Sequence, residues 1–126
     1  MKEIINTKEA PQPIGPYNQA VAAGGFLFIS GQIAIDAATG NLNTDDITNE
    51  THTVLKNLKA ILTEAGLTFN HIVKTTIFLS DMNNFALVNE IYGSYFSKDF
   101  PARETVEVSV LPKNVNVEIS AIAIKS

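Results

Sequence analysis

Hydrophobic positions change their period along the chain, and each change predicts an element. Glu3 to Asn6 predicts a short first strand, followed by irregular chain through the Pro- and Gly-bearing stretch ending at Gly15-Pro16-Tyr17. After Gly24-Gly25 the run Phe26-Leu27-Phe28-Ile29-Ser30 is apolar on consecutive positions, which predicts a buried strand. Gly31-Gln32 leads to Ile33-Ala34-Ile35, a candidate third strand, and the composition of Asp36 to Asn41 predicts a loop. The period then becomes helical. Val54, Leu55, Leu58, Ile61, Leu62 and Ala65 share one face, with Thr44, Asp45 or Asp46 as N-cap candidates and Gly66 as the stop. Ile72 to Leu79, rich in β-branched residues, predicts a strand. Phe85, Val88, Tyr92, Tyr95 and Phe96 predict a second, shorter helix with an aromatic face. Val106, Val108 and Val110 then alternate with Thr105, Glu107 and Ser109, and Val117 to Ile124 predicts a last apolar strand around Glu118.

This order predicts a single α+β domain over residues 1–126. Each helix is followed by a strand, which implies crossover connections, and the last two strands can close as a hairpin across Leu111-Pro112-Lys113-Asn114. The sheet is then mixed, with both helices on one face. The other face is not cleanly polar: Ile122 and Ile124 share a side with Glu118, and Phe28 points opposite to Leu27 and Ile29. Burial of that face against other copies of the chain is the expected solution.

Composition sharpens the picture. Charged residues are 17% of the 126, against roughly 25% in an average globular protein, which fits a surface partly buried between subunits. Thirteen acidic and nine basic residues leave a net charge of −4, so nothing attracts nucleic acid or anionic lipid globally. Absence of cysteine removes disulfides, thiolate nucleophiles and Cys-ligated metals. With no leader-like apolar segment and no membrane-length run, a cytoplasmic protein is expected.

Few residues remain to carry chemistry. His52 and His71 have no second histidine at ligand spacing, so no metal site is expected, and GxSxG, Walker A and GxGxxG motifs are lacking. Arg103 is the only arginine, standing after Phe100-Pro101-Ala102 at the start of a strand. It is either a surface residue paired with a nearby acid or a fork of donors matched to a small carboxylate. Glu118 interrupts an apolar strand, which means either a solvent-facing pleat or a carboxyl whose pKa burial raises toward neutrality. Tyr17 offers a phenol from a fixed turn or a half-buried structural ring, and Asn89 and Ser30 are unremarkable alone.

Taken in order, Ile14-Gly15-Pro16-Tyr17, Ser30-Gly31-Gln32-Ile33, Val73-Lys74-Thr75-Thr76, Asn84-Phe85-Ala86-Leu87-Val88-Asn89, Pro101-Ala102-Arg103 and Leu111-Pro112-Lys113 with Val117-Glu118-Ile119 resemble the RidA/YjgF family over almost the whole chain. The resemblance implies a chorismate-mutase-like α+β fold in a barrel-like homotrimer with clefts between subunits. It further implies hydrolysis of reactive 2-imino acids and their enamine tautomers, such as 2-aminoacrylate, 2-iminopropanoate and 2-iminobutanoate, to 2-keto acids and ammonia, without a cofactor. Carried over by position, Arg103 would clamp the substrate carboxylate and Glu118 would position or activate water. Tyr17, Ser30, Gly31 and Asn89 would line the pocket, and the backbone of Thr105 would hold the substrate nitrogen or water.

Three positions depart from the family pattern: Glu104 stands where a small residue is usual, Thr105 where Cys is frequent, and Ser120 where a second acid is frequent. Glu104 would weaken the clamp if it pointed inward. The hairpin also raises a conflict. With Val110 near Val117, Glu118 falls opposite Ser109 and Arg103 lies about six residues, or roughly 20 Å, further along. Either the last two strands are not partners or the site is completed across a subunit boundary. A carboxylate-sensing or partner-binding trimer with little turnover is the alternative function; an endoribonuclease or translation inhibitor ranks last, because no basic track for RNA is present.

Overall fold

A computed structural model describes residues 1–125. Eight elements form an α+β fold: β1 (Glu3–Ile5), β2 (Ala20–Ala23), β3 (Phe26–Gln32), α1 (Ile47–Glu64), β4 (Ile72–Leu79), α2 (Phe85–Gly93), β5 (Ala102–Glu107) and β6 (Val117–Ile124). The six strands make one mixed sheet in the order β1-β2-β3-β6-β4-β5. Strands β4 and β5 are parallel, joined by the α2 crossover, and the other neighbours are antiparallel.

Local chemistry explains the ends. Asp46 caps α1 by accepting from the Asn49 N–H at 2.7 Å. At the other end Gly66, at φ 78°, takes the left-handed conformation, and the N–H groups of Gly66 and Leu67 bond back to Thr63 and Leu62. The face of α1 is wholly buried at Val54, Leu55, Leu58, Ile61 and Leu62, each side chain worth about 1.5–3 kcal/mol of transfer free energy. It packs with Val88, Ile91 and Tyr92 of α2 on alternate residues of the sheet: Leu27 and Ile29, Ile77 and Leu79, Val117, Ile119, Ala121 and Ala123. Both helices therefore cover one face.

The structure corrects the expected hairpin. Strand β6 inserts between β3 and β4, while β5 pairs with β4 alone and forms a sheet edge. The reason is composition: β6 carries Val117, Ile119, Ala121 and Ala123 to the core and suits a central position, whereas the polar Ala102–Glu107 stretch suits an edge. The alternation expected through Val110 ends at Glu107, and α2 stops at Gly93, with Tyr95 and Phe96 packing from beyond its end. The third N-terminal strand is Ala20–Ala23 rather than Ile33-Ala34-Ile35, which makes only an isolated bridge from Ile35 to Leu42. Gly24 and Gly25, both at positive φ, form the two-residue turn between β2 and β3.

The run around Phe28 is half-buried in the subunit, not fully buried. Phe26 and Phe28 remain 42% and 46% exposed, and with Val106 and Ile124 they lie on the sheet face that no helix covers.

Candidate active site

Register decides where the candidate residues point. Arg103 is the β5 partner of Thr75, and Glu118 is the β6 partner of Phe78, so both flank β4 three residues apart. Thr75, Ile77 and Leu79 face the helices, whereas Phe78 faces the open side. Arg103 therefore lies on the helix-covered face and Glu118 on the open face. Within one chain the two do not meet.

On the helix side, Asn89, Tyr92, Gly93, Phe100, Pro101 and Arg103 line a cavity of about 450 Å³. Arg103 Nη1 donates to Asn89 Oδ1 at 2.7 Å. Its guanidinium carbon lies 5.2 Å from the centre of the Tyr92 ring and 5.7 Å from that of Phe85, both on α2, within cation–π range. The Tyr92 and Thr75 hydroxyls share a buried 2.7 Å hydrogen bond, which fixes the ring under the guanidinium. Burial raises the Tyr92 pKa against the opposing effects of Thr75 and Arg103, so the ring stays a neutral phenol. Thr105 follows two residues later on the same side of β5, its hydroxyl buried without a partner among the described residues.

On the open side, Tyr17, Gly31 and Glu118 line a second cavity of about 200 Å³ with Pro11, Ile14, Ile33, Ile35, Pro112 and three glutamines, Gln12, Gln19 and Gln32. The β3–β6 register shifts between Ile29 and Gln32, so Ser30 and Gly31 together oppose the strand beside Glu118. Glu118 lies directly over Gly31: a Cβ there would come within 2.8 Å of Glu118 Cδ and 3.1 Å of Cγ. Only glycine leaves that space. Burial raises the Glu118 pKa, and among the described residues no hydrogen-bond donor reaches its carboxylate. Ser30 donates to the Asn18 carbonyl at 2.6 Å, and its side chain borders a shallow groove with Tyr17, Phe28 and Ser120.

Glu104 turns away from Arg103. Strand alternation places it on the open face, where Thr76 Oγ1 donates to it at 2.6 Å and Lys74 Nζ lies 3.3 Å away. The Thr76 bond leads the causes that lower its pKa, with Lys74 adding to it.

The two histidines take structural partners. His52 Nδ1 is 2.7 Å from the Tyr95 hydroxyl, and His71 accepts from the Thr68 N–H at 3.0 Å. No cluster of three metal-ligating side chains occurs among the described residues, and no helix there is long and apolar enough to cross a membrane.

Sequence reasoning missed two groups. Phe85 and Tyr92 were legible only as core aromatics, although they cradle Arg103. Glu50, 0% exposed, accepts from the Asn116 N–H, the Asn116 amide and the Val117 N–H at 2.7–2.9 Å, and so ties the first turn of α1 to the start of β6. Its placement in a helical first turn is the only local sign.

The family model described as Endoribonuclease L-PSP matches residues 7–125. A RutC family protein of Pyrococcus horikoshii is 56% identical over 125 residues, covering 99% of each chain. The human 2-iminobutanoate/2-iminopropanoate deaminase is 45% identical over 125 residues, covering 99% of this chain and 91% of that protein. The crystal structure of E. coli TdcF with bound serine superposes with a TM-score of 0.94 at 42% identity, covering 98% of this chain and 99% of that one.

Proposed function

The chain belongs to the RidA/YjgF family, and from that membership we propose that it hydrolyses 2-imino acids and their enamine tautomers to 2-keto acids and ammonia. The observation that carries this reading is a division of labour. A guanidinium is oriented by one amide and two rings, and a half-buried carboxyl without a hydrogen-bond partner among the described residues sits beside a cavity. The similarity to the mammalian deaminases adds to it.

Arg103 binds the substrate carboxylate through the donors that Asn89 leaves free. Glu118 takes a proton from water as the water oxygen bonds to the imine carbon, and the C=N electron pair moves to nitrogen. The resulting carbinolamine then receives that proton on nitrogen, the C–N bond breaks, ammonia leaves, and loss of the hydroxyl proton completes the carbonyl. One imine and one water give one keto acid and one ammonia. A protonated imine is already electrophilic, so orientation and one proton shuttle suffice. No cofactor enters this scheme.

Because the two halves face opposite sides of the sheet, a complete site requires Arg103 of one subunit and Glu118 of another. A cyclic trimer supplies this and covers the open face at Phe26, Phe28, Ile122 and Ile124. The carboxylate-sensor alternative rested on Glu104 beside the clamp, and Glu104 lies on the other face. An RNA-cleaving role has no basic track to rest on at a net charge of −4.

The direct test feeds the protein 2-aminoacrylate made in situ by a serine dehydratase and follows keto acid against buffer. Accelerated formation by the wild type and none by Arg103→Ala supports the reading; equal rates with and without wild-type protein overturn it.

A further inference from the structure

The β3 bulge decides what Glu118 faces. Phe26 to Ile29 of β3 pair with Ile124 to Ala121 of β6, and the pairing resumes one step out of phase, with Gln32 against Ile119. Ser30 and Gly31 together oppose Ser120 alone, two residues against one. Continued in step, the ladder would set Gly31 opposite Ile119 and Gln32 opposite Glu118. Cross-strand partners share a face, so Gly31 would turn to the core and the Gln32 amide would stand beside the carboxyl. The bulge exchanges the two. Gly31 lies under Glu118 instead, and Gln32 goes to the side of Ile119, where it is 5% exposed and still borders the Glu118 cavity.

A bulge takes its extra residue out of the strand ladder, so other groups must hold it. The Ser30 N–H donates to the Gln19 carbonyl at 2.9 Å, and the Ser30 hydroxyl donates to the Asn18 carbonyl at 2.6 Å. The Ser30 carbonyl accepts from Gln32 Nε2 at 3.1 Å, a bond that reaches back across Gly31. Beyond the bulge, the Ile33 and Ile35 carbonyls accept from the Asn57 side-chain amide of α1 at 3.1 and 3.0 Å. Of these bonds, that of Gln32 alone joins the two neighbours of Gly31 to each other.

We propose that Gln32 is a positioning residue for Glu118: its amide holds the bulge, and so keeps Gly31 rather than a donor side chain against the carboxyl. Its effect runs through Gly31. A carboxyl that must take a proton from water gains from such a neighbour, because a bonded donor would weaken it as a base. The inference rests on the imine-hydrolysis reading and adds one residue to its machinery.

The test measures kcat and KM separately for the wild type, Gln32→Met and Gln32→Asn, each also placed on Gly31→Ala. Met keeps the length of Gln without the donor, and Asn keeps the amide but falls one methylene short of the Ser30 carbonyl. Each substitution should lower kcat about tenfold, the scale of a slightly misplaced catalytic group, with KM held within about twofold because Arg103 is untouched. On Gly31→Ala, where the carboxyl is already displaced, either should cost less than about twofold more. A merely structural role would lower the melting temperature and leave kcat alone. Full wild-type kcat in a folded variant therefore overturns the proposal, as does a loss of kcat that is equally large on Gly31→Ala. Absence of acceleration by the wild type overturns the imine reading, and the positioning role with it.

Discussion

The Arg103 and Glu118 halves are built in opposite ways. The guanidinium is held by Asn89 and two rings, and one of those rings is itself tied to Thr75. The carboxyl rests over a bare glycine, half-buried and bonded to nothing among the described residues. A group that only binds gains from being fixed before substrate arrives, because less side-chain entropy is lost on binding. A group that must take and return a proton near neutral pH gains from a raised pKa, and a ring of donors would lower it.

Each half can be broken separately. Glu118→Gln should have the largest effect, a loss of about 10²–10⁴-fold in kcat. It should also remove the acid limb of the wild-type pH profile, which lies above the ordinary carboxylate range because burial raises this pKa. The same shift gives a stability signature. The folded carboxyl keeps its proton to higher pH than the unfolded one, so stability falls as pH rises through that window. Thermal unfolding of Glu118→Gln across the window should show that decline removed.

Arg103→Ala should cost about 10²–10³-fold in kcat/KM, the scale of losing a charge-assisted bidentate contact, with Arg103→Lys intermediate. Unfolding curves of the alanine variant should stay close to wild type, since the residue sits on an edge strand. Gly31→Ala should push Glu118 aside and lower kcat about 10–100-fold. Placed on Glu118→Gln it should add little, a coupling that a double-mutant cycle measures. Tyr92→Phe frees the ring from Thr75 and should raise KM about two- to fivefold, by weakening a contact worth roughly 0.5–1 kcal/mol. The smallest effect belongs to Glu104→Ala, within about twofold in kcat/KM, because its partners are Thr76 and Lys74 on the other face.

The contrast between the halves was only partly legible in the sequence. Arg103 stood out as the single arginine and Glu118 as an acid within an apolar strand, because each violates a local pattern. The helices and the strands Ile72–Leu79 and Val117–Ile124 followed from periodicity, which reports local burial. Strand order does not follow from periodicity. Adjacency in sequence favoured a β5–β6 hairpin, and the more apolar β6 instead took the centre of the sheet. That change puts Arg103 and Glu118 on opposite faces. The two therefore still do not meet within one chain, and alternation along β5 turns Glu104 away from Arg103. Strand β2 was missed because four small residues carry little signal, although the Gly24-Gly25 pair after them is a hairpin mark. The Tyr92–Thr75 bond and the Glu50 anchor join residues 17 and 66 or 67 positions apart, beyond any local pattern.

The proposed working site takes one half from each of two subunits. Mixing Arg103→Ala with Glu118→Gln, unfolding and refolding them together, tests it most directly. In a cyclic trimer with shared sites, roughly a quarter of the sites in a random equal mixture pair an intact Arg103 with an intact Glu118. Two nearly inactive proteins should then recover about that fraction of wild-type turnover. Mixed oligomers verified by native mass spectrometry that stay as inactive as their parents would contradict it, and would place the whole site within one chain.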